Sequence, residues 1–188
     1  MRLPPLPADE WDDAARQALS GMLPAERQNP RDAGNALATL VRHPELAKSF
    51  LRFNVYLLTR STLPPRLREL AILRVAHRCD CTYEWLHHVE LGMRAGLSED
   101  DVAGVQSAGA TDETHRAVID GVDELLATFR LSDKTWADLS DRLDERQRMD
   151  LVFTVGCYTA LAMAFNTFGV EVEEDFGRAM QRELQKER

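Results

Sequence analysis

Cysteine is scarce in this sequence: Cys79, Cys81 and Cys157 are the only three, and they do not make the disulfide framework of a small secreted domain. Alternation of apolar and polar residues is almost absent, which excludes a fold built on sheets. Basic residues are not in excess either, since 31 acidic residues outnumber 23 lysines and arginines and leave a net charge of −8. Such a chain lacks the clustered cations that a phosphate backbone requires, so nucleic acid is not an expected partner. The first residues, MRLPPLPADEW, have no apolar core of the signal-peptide kind. The longest apolar stretch, from Leu151 to Phe168, is interrupted by Thr154, Gly156, Thr159 and Asn166. It reads as a core helix, not a membrane span. The expectation from these absences is a cytoplasmic protein with no membrane partner.

What the chain does have is helical periodicity from end to end, and the expected fold class is all-α. A chain of 188 residues with 44% apolar content can bury a core without crosslinks. Asp9 is expected to cap a helix running to Met22, Pro24 to Arg31 to form a loop, and a helix to follow from Asp32 to Arg42. His43-Pro44 resets the chain, because proline disfavours helix in the residue before it and suits a helix start. Helices are then expected over 44–59, from Pro65 to a break at Cys79-Asp80, and from Cys81 to Ala95 with a stop at Gly96. Ser98 and Asp101 form a capping pair for a short helix. Further helices are expected over 112–129, 132–143 and 145–168, with a charged terminal one from Glu171.

This organisation reads as one domain. It has a helical extension over 1–43, a half bearing the candidate motif over 44–108 and a degenerate second half over 109–188. The halves echo one another: Leu67-Arg68-Glu69-Leu70-Ala71-Ile72-Leu73 resembles Arg148-Met149-Asp150-Leu151-Val152-Phe153-Thr154. That offset sets Asp150 against Glu69, Ala162 against Cys81, Phe165 against Glu84 and Gly169 against His88. The polar residues of the first copy become apolar or small in the second, which then keeps a packing role only.

The candidate chemistry lies between Glu69 and His88. At 100° per residue Cys81, Glu84 and His88 fall on one helical face. Glu84 and His88, four apart, are spaced for a carboxylate to hold an imidazole and tune it for proton transfer near neutral pH. The same spacing also describes an ordinary solvated pair. Trp85, Leu86 and the apolar preceding helix favour a sheltered setting. Glu69 sits in the apolar run from Leu67 to Val75, where an unpaired carboxylate is expensive to bury. It is expected either to pair with Arg74 or Arg78, or to accept a proton from, or orient, His88 across the helix boundary. Cys79, Cys81, His87 and His88 are zinc-ligand types, but their spacing matches no standard zinc site and no metal is expected. Cys157 reads as a small core residue.

The run from Glu69 to Val75, then Tyr83-Glu84-Trp85, His87-His88 and Ala95-Gly96-Leu97-Ser98, resembles carboxymuconolactone decarboxylase and its relative, the alkylhydroperoxidase AhpD. The clearest likeness covers about residues 65–105. In the peroxidase branch a glutamate precedes a Cys-x-x-Cys pair and a histidine. On that pattern Glu69 takes the glutamate position, Cys81 the first cysteine and His88 the histidine. Tyr83 stands where a histidine is common, and Glu84 replaces the second cysteine. The resolving thiol of a dithiol cycle is therefore missing.

The resemblance accordingly implies the decarboxylase-type branch and an AhpD-like helical bundle with two degenerate repeats. The activity it implies is a cofactor-free lyase or isomerase acting on a small lactone or carboxylated ring. Its site is Glu69, Cys81, Tyr83, Glu84 and His88, with Arg74 or Arg78 supplying positive charge. It also implies a homo-oligomer: a dimer, trimer or hexamer. Two rivals stand beside it. One is a thiol-dependent hydroperoxide reductase working through Cys81 sulfenic acid, and the other is a non-catalytic family member.

Overall fold

Prolines and short polar caps decide where these helices begin. The computed structural model describes residues 1–107, 109, 112–173 and 176, and among them it has helices and no strand. The α-helices are α1 (Asp13–Ala18), α2 (Pro30–Leu40), α3 (Pro44–Thr59), α4 (Pro65–Arg78), α5 (Thr82–Arg94), α6 (Glu99–Ser107), α7 (Glu113–Thr128), α8 (Asp133–Ser140) and α9 (Glu145–Phe168). Proline occupies the first position of α2, α3 and α4, where its missing N–H is no loss. The all-α expectation holds.

The described residues divide into two compact units, one of Met1–Val55 with Thr167–Glu173, the other of Tyr56–Asn166. In the first, Trp11, Ala15, Leu19, Ala33, Val41 and Leu51 form the core. The N-terminal boundaries differ from expectation. Asp9 lies in a short 3₁₀ turn, and Asp12 caps α1 instead, accepting from the Ala15 N–H at 2.8 Å. α2 starts two residues early, because Asn29 accepts from the Asp32 N–H at 3.0 Å and so places Pro30 first. The terminal helix expected from Glu171 falls mostly outside the described residues, and Glu171 to Glu173 are not helical. Residue 108, where the two halves were expected to meet, also lies outside the described residues.

In the second unit α4 is the central element, packed against α5, α6 and α7 and buried on nearly every side. Its arginine Arg74 forks onto Asp123 of α7 at 2.8 and 2.6 Å, and Arg78 reaches the same carboxylate at 3.1 Å. The helix ends where expected. Asp80 turns left-handed at φ 50°, and the Cys81 N–H bonds back to the Ala76 carbonyl at 2.9 Å, which closes the terminus in a Schellman-type turn. Cys81 then sits at the N-cap of α5. Gly92 of α5 faces α4 beside Leu73 and Glu69; a Cβ there would meet both at ordinary contact distances, 3.4 Å from Leu73 Cδ1 and 3.7 Å from Glu69 Cβ, and would crowd only Leu97 Cδ1, at 2.9 Å.

By length and composition α9 could cross a membrane. Its Leu151, Val155, Tyr158, Ala162 and Phe165 are nevertheless buried within the protein, one face at helical spacing. That face packs into the core, while Met149, Phe153 and Met163 on the rest of the helix are exposed. The echo between the halves does not extend to the backbone, since α4 and α5 are separated by a break whereas α9 runs through the corresponding positions unbroken. Asp150, the counterpart of Glu69, anchors a loop by accepting from the Thr62 N–H at 2.6 Å, the Thr62 hydroxyl at 2.7 Å and the Tyr56 hydroxyl at 3.3 Å. Asp150→Ala is expected to lower stability by about 1–3 kcal/mol, the cost of orphaning partly buried donors. A fall in the urea midpoint at constant m would register it.

Candidate active site

Glu69 comes to the site from the buried face of α4, and His88 from α5, 19 residues later. The Glu69 side chain is 1% exposed and that of His88 10%. Glu69 Oε2 lies 2.7 Å from His88 Nδ1. The other oxygen, Oε1, accepts two bonds from the Arg68 guanidinium, from Nε at 3.0 Å and Nη2 at 2.9 Å. Burial pushes the Glu69 carboxyl upward, but the bonds and charges of His88 and Arg68 outweigh it and hold the group below the ordinary glutamate value. Glu69 is therefore a carboxylate at neutral pH. A carboxylate only accepts, so Nδ1 of a neutral imidazole carries the hydrogen and Nε2 keeps a free lone pair.

Two expectations about partners are overturned. Glu84, four residues before His88, does not hold the imidazole: its carboxyl is buried beside the Cys81 thiol, and His88 Nδ1 meets Glu69 instead. The close packing of α5 on α4 puts a tertiary carboxylate at Nδ1, and the local i,i+4 pair loses its role. Nor does Glu69 pair with Arg74 or Arg78, or either of these supply positive charge to the site, because Asp123 holds both. Arg68 serves Glu69 instead, although adjacent helical residues point about 100° apart and sequence spacing gave no sign of it.

Glu84 is 2% exposed, and burial pushes its carboxyl up to about 8, partly offset by the Cys81 thiol. At neutral pH it is largely an uncharged acid. Burial and then Glu84 push the Cys81 thiol up to about 12, so Cys81 is not a standing thiolate. Cys81 also walls a cleft of about 160 Å³ at the helix break, together with His77, Asp80, Thr82, Trp85 and Gln106.

Tyr83 is half-buried, its ring 4.4 Å from that of His87 and edge-on to Phe165 at 5.3 Å. Tyr158 of α9, absent from the expected site, meets the His88 ring edge-on at 5.0 Å. Its only sequence signal is its place on the apolar face of α9. The structure thus brings Glu69 and His88 into contact, sets Cys81 beside Glu84, and places Tyr83 against His87 and Phe165. Among the described residues no group of three or more His, Cys, Asp and Glu could hold a metal ion.

Residues 44–134 match the model of the carboxymuconolactone decarboxylase family. None of the curated proteins matches the chain. Among solved structures it is similar to an uncharacterised peroxidase-related protein with an alkylhydroperoxidase AhpD core from Ralstonia eutropha JMP134. That likeness has 15% identity and a TM-score of 0.76 over 94% of this chain and 95% of the other. It is also similar to the debrominase Bmp8, with 16% identity and a TM-score of 0.72 over 94% of each chain. A cysteine-to-alanine variant of Bmp8 in complex with 2,3,4-tribromopyrrole gives a TM-score of 0.72 at 13% identity, over 97% of each chain. At these identities the likeness establishes the AhpD-like helical fold.

Proposed function

We propose, from the match of residues 44–134 to the carboxymuconolactone decarboxylase family, that the protein is a cofactor-free acid–base catalyst of the lyase or isomerase class, acting on a small lactone or related ring compound. The observation that carries this reading is the 2.7 Å contact between buried Glu69 and His88. With Nδ1 committed to a carboxylate, Nε2 takes a proton from carbon adjacent to a carbonyl, and Glu69 stabilises the imidazolium that forms. The same imidazolium returns the proton to another carbon, which completes an isomerisation; in a decarboxylation an imidazolium protonated from water supplies the proton to the carbanion left by loss of CO₂. Burial strengthens each of these interactions by excluding water. Glu84, held neutral, is placed among the site residues as a hydrogen-bond donor toward developing negative charge on oxygen.

A second reading is thiol chemistry at Cys81. It is favoured by the position of Cys81 on the cleft wall. The two readings separate on two variants assayed in D₂O against a panel of muconolactones, cyclic ketones and hydroperoxides. The acid–base reading expects His88→Ala to lose about 10²–10⁴-fold in turnover and deuterium incorporation, with Cys81→Ala close to the parent. Unchanged turnover in His88→Ala removes the imidazole from the mechanism. Loss confined to Cys81→Ala establishes the thiol. An inert parent protein across the whole panel favours a binding role.

A further inference from the structure

α9 carries a second apolar stripe besides the one it buries. Met149 is 53% exposed, Val152 37% and Met163 64%, and Gly156 and Ala160 between them are exposed as well. At 100° per residue all five lie within about 40° of Gly156, on one face of the helix. Exposed apolar surface gathered in this way marks an interaction site. Gly156, at the centre of the stripe, is an observation of a different kind. Glycine in a helix interior is unfavourable, yet a Cβ added there would meet nothing within 4 Å. Packing within the chain therefore gives no reason for the missing side chain. A second backbone arriving from outside does, because small residues let two helices approach closely.

The stripe is also its own complement. Met149 and Met163 stand seven residues either side of Gly156, and Val152 and Ala160 four. A second copy turned antiparallel about a two-fold axis through Gly156 lays Met149 on the partner's Met163. The same axis lays Val152 on the partner's Ala160, large on small, and Arg146 on the partner's uncharged Asn166, so no like charges meet. Such self-complementarity is what a closed two-fold contact requires. A lipid surface fits less well. The net charge of −8 opposes anionic headgroups, and the face of α9 that would carry lysines and arginines in an interfacial helix is packed in the core. With its flanks, Phe153 at 54% exposure among them, the stripe offers on the order of 500 Å² a copy; a pair then buries about 1,000 Å², the threshold of a specific interface, and about micromolar affinity is expected. We infer that α9 is a contact between two copies of this chain, paired antiparallel across Gly156. The inference is independent of the chemistry at Glu69 and His88.

Sedimentation equilibrium of the full chain tests it. The mass is expected to rise from the 21.3 kDa of one chain toward twice that value between about 1 and 100 µM. Gly156→Leu puts a side chain on the axis, into space that is open within the chain, so the melting temperature is kept and the dimer weakens about tenfold or more. Met163→Lys, at an exposed position, weakens it by a similar factor and serves as the second variant should Gly156→Leu not fold. The register is read by crosslinking in a Cys79→Ser background, with a bismaleimide spanning about 8 Å, the axial separation of close-packed helices. A mixture of Met149→Cys and Met163→Cys chains is expected to crosslink, and neither variant alone, because its two equivalent positions stand about 21 Å apart along the axis. The inference is overturned by a chain that stays monomeric at about 100 µM, or by a dimer that persists in Met163→Lys or in a folded Gly156→Leu. Crosslinking by one cysteine variant alone, or none in the mixture, overturns it equally. Monomers that float with phosphatidylcholine–phosphatidylglycerol vesicles overturn it in favour of a lipid surface.

Discussion

Replacing Glu84 with glutamine is expected to leave stability nearly unchanged at pH 4.5 and to raise it, by on the order of 4 kcal/mol, above pH 8. The sign follows from where the proton sits. In the unfolded chain a glutamate ionises near 4.5, whereas in the folded protein burial holds Glu84 protonated up to about 8. Between these values the folded state binds one proton more than the unfolded state, so each rise in pH favours unfolding. The stability present below 4.5 is lost progressively and is fully gone above about 8. Glutamine has the same shape and never ionises, so the variant lacks this slope. Because Glu84 is 2% exposed, solvent screening takes little from the effect. Urea midpoints of both proteins at pH 4.5, 6, 7 and 9 measure it, and parallel curves across the range would mean that Glu84 reaches water.

The parts of this arrangement that sequence made legible are those set by local chemistry. Pro44 and Pro65 start helices because proline tolerates no other helical position as well. Ser98 and Asp101 cap one another reciprocally, with the Ser98 N–H on Asp101 at 2.8 Å and the Asp101 N–H on Ser98 Oγ at 3.1 Å. Asp9 and Asp12 are equally good caps on paper, and only the packing of Trp11 and Ala15 in the core decides between them. Glu69 stands out as the carboxylate in an apolar run, and it is buried as that position demands. Of the two partners expected for it, His88 is the one it meets, at 2.7 Å, and the arginine alternative of Arg74 or Arg78 falls. The i,i+4 spacing of Glu84 and His88 is visible in sequence, whereas the approach of α5 to α4 across Gly92 is a tertiary event that spacing does not encode. Arg74 and Arg78 likewise find Asp123, which for Arg74 is 49 residues away. Tyr158 reaches His88 from α9 with no local signal beyond apolar periodicity.

At Glu69 two substitutions are expected to separate what holds the fold from what moves protons. Glu69→Leu should lose about 3–5 kcal/mol, the usual result of removing one member of a buried ion pair. It strands the Arg68 guanidinium, whose side chain is 14% exposed, and the imidazole of His88, 10% exposed. Partial escape of Arg68 to water would put the loss at the lower end. Glu69→Gln keeps the shape and one acceptor, so its stability loss is smaller, but it removes the charge that stabilises an imidazolium at His88. Turnover in that variant should fall about 10²–10⁴-fold if His88 is the proton-transfer group. The linkage also has a sign: the Glu69 carboxyl is held below its ordinary value, so the stability it contributes is present above the unfolded value of 4.5 and is lost as pH falls through the lowered folded one. Glu69→Gln should therefore flatten the acid limb of the stability profile, whereas Glu84→Gln flattens the neutral-to-alkaline limb. Denaturant midpoints from pH 3 to 9, set beside turnover of the same two variants, read both limbs. A Glu69→Gln protein with full activity and an unaltered acid limb would show that this carboxylate neither tunes His88 nor carries charge in the folded state.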